Sequence, residues 1–427
     1  MSGSTPPLTI DSPDPARRRF LQIAGTGLVA APVAGSLLGA PSSPADAAQQ
    51  SQRAAMPPAS VTGRPMPQIQ KPFPLPPQSR IGFAVVGLGK FALNQIIPSF
   101  AESKRSKLVA LVSGNREKAE QVAGRYGVDK KAIYDYASFD SLAGNAEVDV
   151  VYIILPNGLH AEYAIRAAQA GKHVMCEKPM APTVAECEAM IRASLRAGRK
   201  LMVAYRAQYE PFNLEAIRLA HSGDLGKLKL VVSDHGRNLN PSDPADQWRM
   251  SAKLAGGGAL YDIGIYSLQA ARYITGEEPE EIHAMIHSTR GDPRFREVEE
   301  NVTFQLRFPS GVLANCSASY GYADTKRITV QGSEASLTLD PATDYYEHKL
   351  TITKGKTEER IKLQEGNQFA LEMDHFAQSI QEDQPPRTPG EEGLQDVRLM
   401  QAIYEAARTG RTVKLEPRIP NVVADVP

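Results

Sequence analysis

Three short stretches of this 427-residue chain carry residues whose types and spacing could do chemistry together. Lys178 stands in Glu177-Lys178-Pro179, directly after the apolar run His173 to Cys176. An ammonium held over a redox cofactor can bind a substrate oxygen and lower the pKa of a neighbouring acid, although most lysines are simply solvated. Asp262 and Tyr266 follow Gly256-Gly257-Gly258 and lie four residues apart, so a helix there puts both on one face. A carboxylate beside a phenol suits acid–base work; the same spacing also fits a capped core helix with Tyr266 as a packing residue. Gly87-Leu88-Gly89 follows the run Phe83 to Val86. It reads as the first turn of a dinucleotide-binding unit, or else as a plain turn. Gly87 would permit the turn, and Gly89 would let the backbone approach a pyrophosphate held by the next helix's N-terminus. Ala92 takes the place of a third glycine.

The elements that must position these residues alternate. Strands are predicted at Lys107 to Ser113, Val148 to Leu155, His173 to Cys176 and Leu201 to Ala204. Helices are predicted between them, one capped by Asn115 and one opened by a capping box, Thr183 to Glu186. That pattern predicts a Rossmann-type, doubly wound parallel sheet, in which ligands bind at the carboxyl ends of the strands. Gly87, Ser113, Pro156, Lys178 and Arg206 all fall at such ends. Ser113 stands where an NAD site has Asp or Glu, and Arg116 and Lys118 follow. A hydroxyl and cations suit a 2′-phosphate, so NADP is the expected cofactor, while Arg116 fits an ordinary solvated helix residue equally well. Cys176 reads as a buried structural thiol.

Past Arg206 the alternation stops. A helix from Pro211, a strand from Lys227 to Ser233 and the single tryptophan, Trp248, lead into the Gly256 to Tyr266 helix. Strands are then predicted at Glu281 to His287, Val302 to Phe308, Val312 to Ser319, Arg327 to Gln331, Ala335 to Leu339 and Lys349 to Ile352. These make an α+β domain with a large, mostly antiparallel open sheet, one face free for a partner. Two helices, Gln368 to Gln381 and Glu391 to Arg408, close the chain, the last expected to pack back on the first domain. The predicted boundaries are 80–206 for the cofactor domain and 207–427 for the substrate and oligomerisation domain.

Lys plus Arg and Asp plus Glu number 48 each, so no basic excess points to nucleic acid. The three cysteines, Cys176, Cys187 and Cys316, have no paired spacing and give neither a metal motif nor a disulfide framework. Residues 1–47 resemble a twin-arginine export signal: Arg17-Arg18, a glycine-broken apolar segment and Ala45-Asp46-Ala47. The segment is short for a membrane span, so no stable membrane insertion is expected, and the expected location is the periplasm. Residues 48–79 are rich in proline and read as an extended arm.

Together, Gly87-Leu88-Gly89, Pro156-Asn157 with His160, Glu177-Lys178-Pro179 and the Gly256 to Tyr266 helix resemble the glucose–fructose oxidoreductase / inositol dehydrogenase family. The leader, the arm with Gly63-Arg64-Pro65 and the run Glu391 to Arg398 are similar to its periplasmic branch. The resemblance implies that Tyr266, where most members have His, is the proton donor and acceptor. Lys178 would hold the sugar oxygen and Asp262 would position the sugar. The implied cofactor set is Gly87, Leu88, Gly89, Lys90, Ser113, Lys118, Pro156, Asn157, His160, Glu177 and Lys178, with Arg206, Trp248, Arg249 and Tyr345 lining the cleft and Arg64 in an arm over the adenine. It further implies a homodimer or homotetramer and a tightly bound NADP. An aldose such as glucose would be oxidised at C1 to its lactone, and the hydride passed to a second sugar, fructose giving sorbitol. A protein exported folded meets no free NADP pool, so a retained cofactor and a second sugar fit together. The alternatives are an aldose–aldose oxidoreductase, an ordinary NADP-dependent aldose dehydrogenase, a non-catalytic nucleotide or sugar sensor, and a structural assembly protein. Ala207 to Glu210 and Asp234 to Arg237 depart from the family pattern.

Overall fold

The computed structural model describes residues 75–416. The leader, most of the proline-rich arm and Arg64 lie outside the described residues. The first sheet has six parallel strands in the order β3-β2-β1-β4-β5-β6. These are β1 (Ile81–Val86), β2 (Ser106–Val112), β3 (Ile133–Tyr134), β4 (Val150–Ile153), β5 (His173–Glu177) and β6 (Leu201–Ala204). Helices cover both faces, so the strands are continuous apolar runs: in β1 every residue after Ile81 is buried. The covering helices are α1 (residues 90–99, with a π turn over Ala92–Ile96), α2 (Arg116–Tyr126), α3 (His160–Gln169) and α4 (Val184–Arg196). Asn115 caps α2 by accepting from the Lys118 amide, and Thr183 caps α4 from the Glu186 amide.

Helix α5 (Pro211–Ser222) leads into the second sheet through β7 (Leu228–Asn238). The site helix, α6 (residues 259–275), opens with a π turn, Leu260–Gly264, and continues as Ile265–Thr275. Then come β8 (Glu281–His287), β9 (Asn301–Arg307), β10 (Leu313–Ser319), β11 (Gly321–Gly332), β12 (Ser336–Leu339), β13 (Leu350–Lys354) and β14 (Thr357–Ile361). Helices α7 (Gln368–Gln381) and α8 (Gly390–Thr409) follow, and β15 (Val413–Lys414) adds a last edge. The nine strands run in the order β14-β13-β12-β11-β7-β10-β9-β8-β15. Here burial alternates: along β9, Val302, Phe304 and Leu306 point inward and Thr303, Gln305 and Arg307 outward. The edge strand β14 is almost wholly exposed and polar, which is why no apolar pattern announced it.

One pair breaks the antiparallel rule. β7 and β10 run parallel, Leu230 opposite Leu313 through Gly236 opposite Ser319. Both therefore deliver their carboxyl ends, Arg237 and Tyr320, to one place. Helix α8 seals the junction between the sheets. Gly390 and Gly393 have no side chain where Leu201, Val203 and Met180 press against the helix, and the preceding Thr388 bonds both backbone groups of Val203.

Gly87 has φ +94°, and a Cβ there would strike the Ile154 carbonyl. A Cβ on Gly89 would meet nothing within 4 Å. G87A is therefore expected to cost ~1–3 kcal/mol or more and to lower the unfolding temperature. G89A should unfold like wild type yet bind NADP more weakly. Calorimetry with and without NADP separates the two outcomes.

Candidate active site

The carboxyl end of β5, the ends of β7 and β10 and the start of α6 meet at one buried carboxylate. Asp262 sits in the π turn of α6 and is 8% exposed. Its Oδ2 accepts from Arg249 Nε at 2.8 Å and from the Tyr320 hydroxyl at 3.0 Å. Lys178 Nζ lies 3.6 Å from Oδ1 and donates to the Asp262 backbone carbonyl at 2.6 Å. Arg237 adds a further cation, with Nε 3.9 Å from Oδ2, and is itself paired with Asp246 at 2.6 Å. Burial alone would raise the Asp262 pKa, but Arg249, Lys178 and Arg237 outweigh it and hold this carboxyl well below the usual range. Burial likewise lowers Lys178, while Asp262 and Glu177 support its charge.

The triple glycine before α6 has a packing reason. A Cβ on Gly258 would collide with the Glu299 backbone, and one on Gly257 with the Tyr404 hydroxyl. The space they leave admits the Glu299 carboxylate, which accepts from the Gly258 and Leu260 amides at 2.8 Å each. A carboxylate thus caps the helix start and fixes the turn that carries Asp262.

Tyr266 lies beside this cluster, as the spacing on the helix requires. Its ring stacks on His235 with centroids 5.0 Å apart, and the Lys178 ammonium and Arg206 guanidinium each lie 4.9 Å from its centroid. Arg206 is pinned by Gln368 at 2.7 Å and by the carbonyls of Thr343 and Asp344 at 2.6 and 3.1 Å. Its other face meets the Tyr345 ring at 4.8 Å. Lys178 does lower the pKa of one neighbouring acid, Asp262, but the Tyr266 phenol as a whole moves the other way. Burial pushes the phenol up to about 12; Arg206 is the cation that opposes the rise, and Glu177 and Asp262 add to it.

The nucleotide end is built on the glycine turn. Lys118 Nζ reaches back to the Leu88 carbonyl at 3.4 Å. Ser113 Oγ accepts from the Asn115 amide at 3.1 Å, which leaves its O–H free to donate. Open space at Gly89, the N-terminus of α1, a hydroxyl and an ammonium form a donor set that fits a phosphorylated dinucleotide. Lys90 pairs across the cleft mouth with Asp243 at 2.9 Å. Arg116 turns away, bonding Glu120 and the carbonyls of Ile133 and Lys130, and is structural.

Other expected residues take different posts. His160 is wholly buried, with its ring nitrogens 2.9 and 2.8 Å from the carbonyls of Pro179 and Leu155. No atom of it is left for a cofactor; it ties the β4 and β5 ends together. Asn157 donates to the Ala255 carbonyl at 2.8 Å and joins Pro156 to the second domain. Glu177 points inward to Tyr152. Trp248 packs under Arg249, with the guanidinium 4.4 Å above its ring, and Tyr345 packs on Phe91 and Phe369. Arg237, His235, Asp246 and Tyr320 were not anticipated as site residues. Arg237 and His235 lie in the Asp234 to Arg237 stretch that departs from the family pattern, the one sequence signal that could have found them. Among the described residues no cluster of His, Cys, Asp and Glu could hold a metal, and no helix is long and apolar enough to cross a membrane.

Removing the Asp262 charge leaves three cations facing one another, so D262N is expected to lose about 3–5 kcal/mol at neutral pH. The folded pKa of Asp262 lies below its unfolded value. Its contribution is therefore whole above pH ~4 and fades as the pH falls further. The gap between wild type and D262N in urea unfolding should shrink on acidification; a gap that does not change with pH would contradict this.

Comparison with known proteins bears on this arrangement. Residues 81–205 match "Oxidoreductase family, NAD-binding Rossmann fold", and residues 218–415 match "Oxidoreductase family, C-terminal alpha/beta domain". The crystal structure of an aldose-aldose oxidoreductase from Caulobacter crescentus, complexed with glycerol, is 47% identical with TM-score 0.76. That likeness covers 79% of this chain and 100% of the other. A D-xylose 1-dehydrogenase [NADP(+)] of Haloarcula marismortui is 33% identical over 79% of this chain and 93% of its own length. A second, D-xylose 1-dehydrogenase (NADP(+)) 2 of Haloferax volcanii, is 30% identical over 78% and 99%. The two matched domains and these full-length relatives agree with the two sheets and the glycine turn, and the chain belongs to the glucose–fructose oxidoreductase / inositol dehydrogenase family of oxidoreductases.

Proposed function

We propose that this nicotinamide-dependent sugar oxidoreductase keeps NADP bound and works between two aldoses. The observation that carries the reading is the convergence of Lys178, Asp262 and Tyr266 at the strand ends, in a chain 47% identical to an aldose-aldose oxidoreductase. The xylose dehydrogenase relatives, which use NADP, support an aldose as donor. Ser113 and Lys118, with no acid at the end of β2, support NADP over NAD.

When bound, NADP supplies a ring carbon that accepts and returns a hydride. Lys178 keeps donors beyond its bond to the Asp262 carbonyl and would hold the C1 oxygen of the cyclic aldose. Asp262, fixed by Arg249 and Tyr320, sets where that ammonium points. Tyr266 would take the C1 hydroxyl proton as the C1–H bond gives up its hydrogen with both electrons, leaving the lactone. It would then return that proton to the carbonyl oxygen of a second aldose as hydride reaches its C1, giving an alditol. Fructose as acceptor, the outcome the sequence resemblance favoured, has no comparable support among the relatives. The Arg17-Arg18 leader supports export of the folded, loaded protein to the periplasm, where a bound cofactor would have to be recycled by a second sugar; cell fractionation tests the location. The outer face of the second sheet, with Met285 66% and Leu313 49% exposed, supports a homo-oligomer; sedimentation velocity should find more than one chain.

The deciding measurement is the absorbance of purified protein with no nucleotide added. A reduced-nicotinamide band should appear on glucose or xylose and decay as the same aldose is reduced. Decay with fructose alone would move the reading to a ketose acceptor, and a band that needs added NADP would make the protein an ordinary dehydrogenase. Y266F should lose ~10²–10⁴ of turnover while keeping its nucleotide. With the phenol near about 12, aldose oxidation should speed up as pH rises through the neutral range. The reductive half, which uses the protonated phenol, should stay flat.

A further inference from the structure

Behind the site lies a second pair of acids that the mechanism above does not use. Tyr152 on β4 donates its hydroxyl to Glu177 Oε1 at 2.7 Å, and the Tyr152 hydroxyl oxygen lies 3.4 Å from Glu372 Oε1 on α7. Tyr152 and Glu372 are wholly buried and Glu177 is 8% exposed. The second oxygen of Glu372, Oε2, is buried without a hydrogen-bond partner.

A phenol has one proton to give. With that proton directed to Glu177, the Tyr152 oxygen can only accept from the Glu372 side, so Glu372 completes the contact only if it carries a proton itself. Two ionised carboxylates bridged by one hydroxyl in a dry interior would also repel, and one of them takes up a proton instead. The surroundings decide which. Burial raises the Glu177 carboxyl too, but Glu177 accepts from Tyr152 and faces Lys178 on its own strand end and Arg206 on the next, both cations. Glu372 faces Arg206, whose guanidinium is already committed to Gln368, Thr343 and Asp344. The remaining groups around the pair, Cys176, Tyr209, Tyr266 and Tyr345, are neutral thiols and phenols. Burial, with Glu177 beside it, holds the Glu372 carboxyl well above its usual value.

We infer that Glu372 is a neutral carboxylic acid in the working protein, and that through Tyr152 it keeps Glu177 ionised and oriented toward Lys178 and Arg206. Glu372 is then a positioning residue: it touches neither sugar nor cofactor, and it acts on the ammonium that holds the C1 oxygen. Its effect on turnover rests on the assignment of Lys178 above, while its protonation does not.

Infrared spectroscopy of the full-length protein without sugar tests this directly. The wild-type minus E372Q difference spectrum at neutral pH should contain the carbonyl stretch of a protonated carboxyl, shifted in heavy water. Taking the difference removes the other buried acids, Glu299 and Asp396. In turnover, E372A should lower kcat about tenfold through misplacement of the Glu177–Lys178 end, and E372Q, whose amide donates as the neutral acid does, should recover most of it. E177Q should move the alkaline limb of aldose oxidation down by about one pH unit, because Lys178 loses one of its two facing carboxylates. No band in the difference spectrum, or an E372Q as impaired as E372A, would overturn the inference. A band without any sugar turnover would uphold the protonation and refute instead the reading of the site.

Discussion

The site depends on one buried negative charge. Asp262 is approached by Lys178 from the end of β5, by Arg249 from a turn before α6 and by Tyr320 from the end of β10. No two of these partners belong to the same strand or helix, so the carboxylate fixes one strand end from each sheet and a connecting turn at one point. A buried carboxylate is costly unless its lone pairs are filled and its charge answered; here the backbone meets that need by bringing the three ends together. The parallel pairing of β7 and β10, an exception in its sheet, is what turns Arg237 and Tyr320 toward the same charge.

The phenol next to it shows which of two opposed effects wins. Two cations lie within 5 Å of the Tyr266 ring centre, and cations favour a phenolate. Yet Tyr266 is packed against His235 and shut away from water, and burial prevails, leaving it at about 12. A resting group of that kind holds its proton, which suits donation to a carbonyl oxygen more readily than abstraction from a hydroxyl. In the proposed two-aldose cycle, the two half-reactions would thus draw on the same atom from unequal starting points.

Rigidity around these groups comes from missing side chains as much as from present ones. Gly257 and Gly258 let Glu299 and Tyr404 reach the start of α6, and Gly390 and Gly393 let α8 lie directly on β6 and Met180. His160, spent on two backbone carbonyls, fixes the strand ends that carry Pro156 and Lys178. None of these residues acts on a substrate; each removes a freedom that the charged groups would otherwise have.

What the sequence determined by itself was whatever local pattern encodes. Apolar runs that alternate with helical spacing mark a sheet covered on both faces, and β1, β2, β4, β5 and β6 lie within a residue or two of where those runs place them, with the strand-end residues on one edge; the two-residue β3 carries no such run. The Asn115 and Thr183 caps, and the shared helix of Asp262 and Tyr266, were legible because each depends on neighbours within four residues. Tertiary structure decided everything that depends on distant partners. Nothing in its neighbourhood says that His160 would be consumed by backbone, that Glu177 would turn inward to a tyrosine and a glutamate from other elements, or that Arg237 and Tyr320 would meet. The direction of the Tyr266 shift was likewise undecidable from the chain. Burial and charge enter it with opposite signs, and only the packed fold fixes the strength of each.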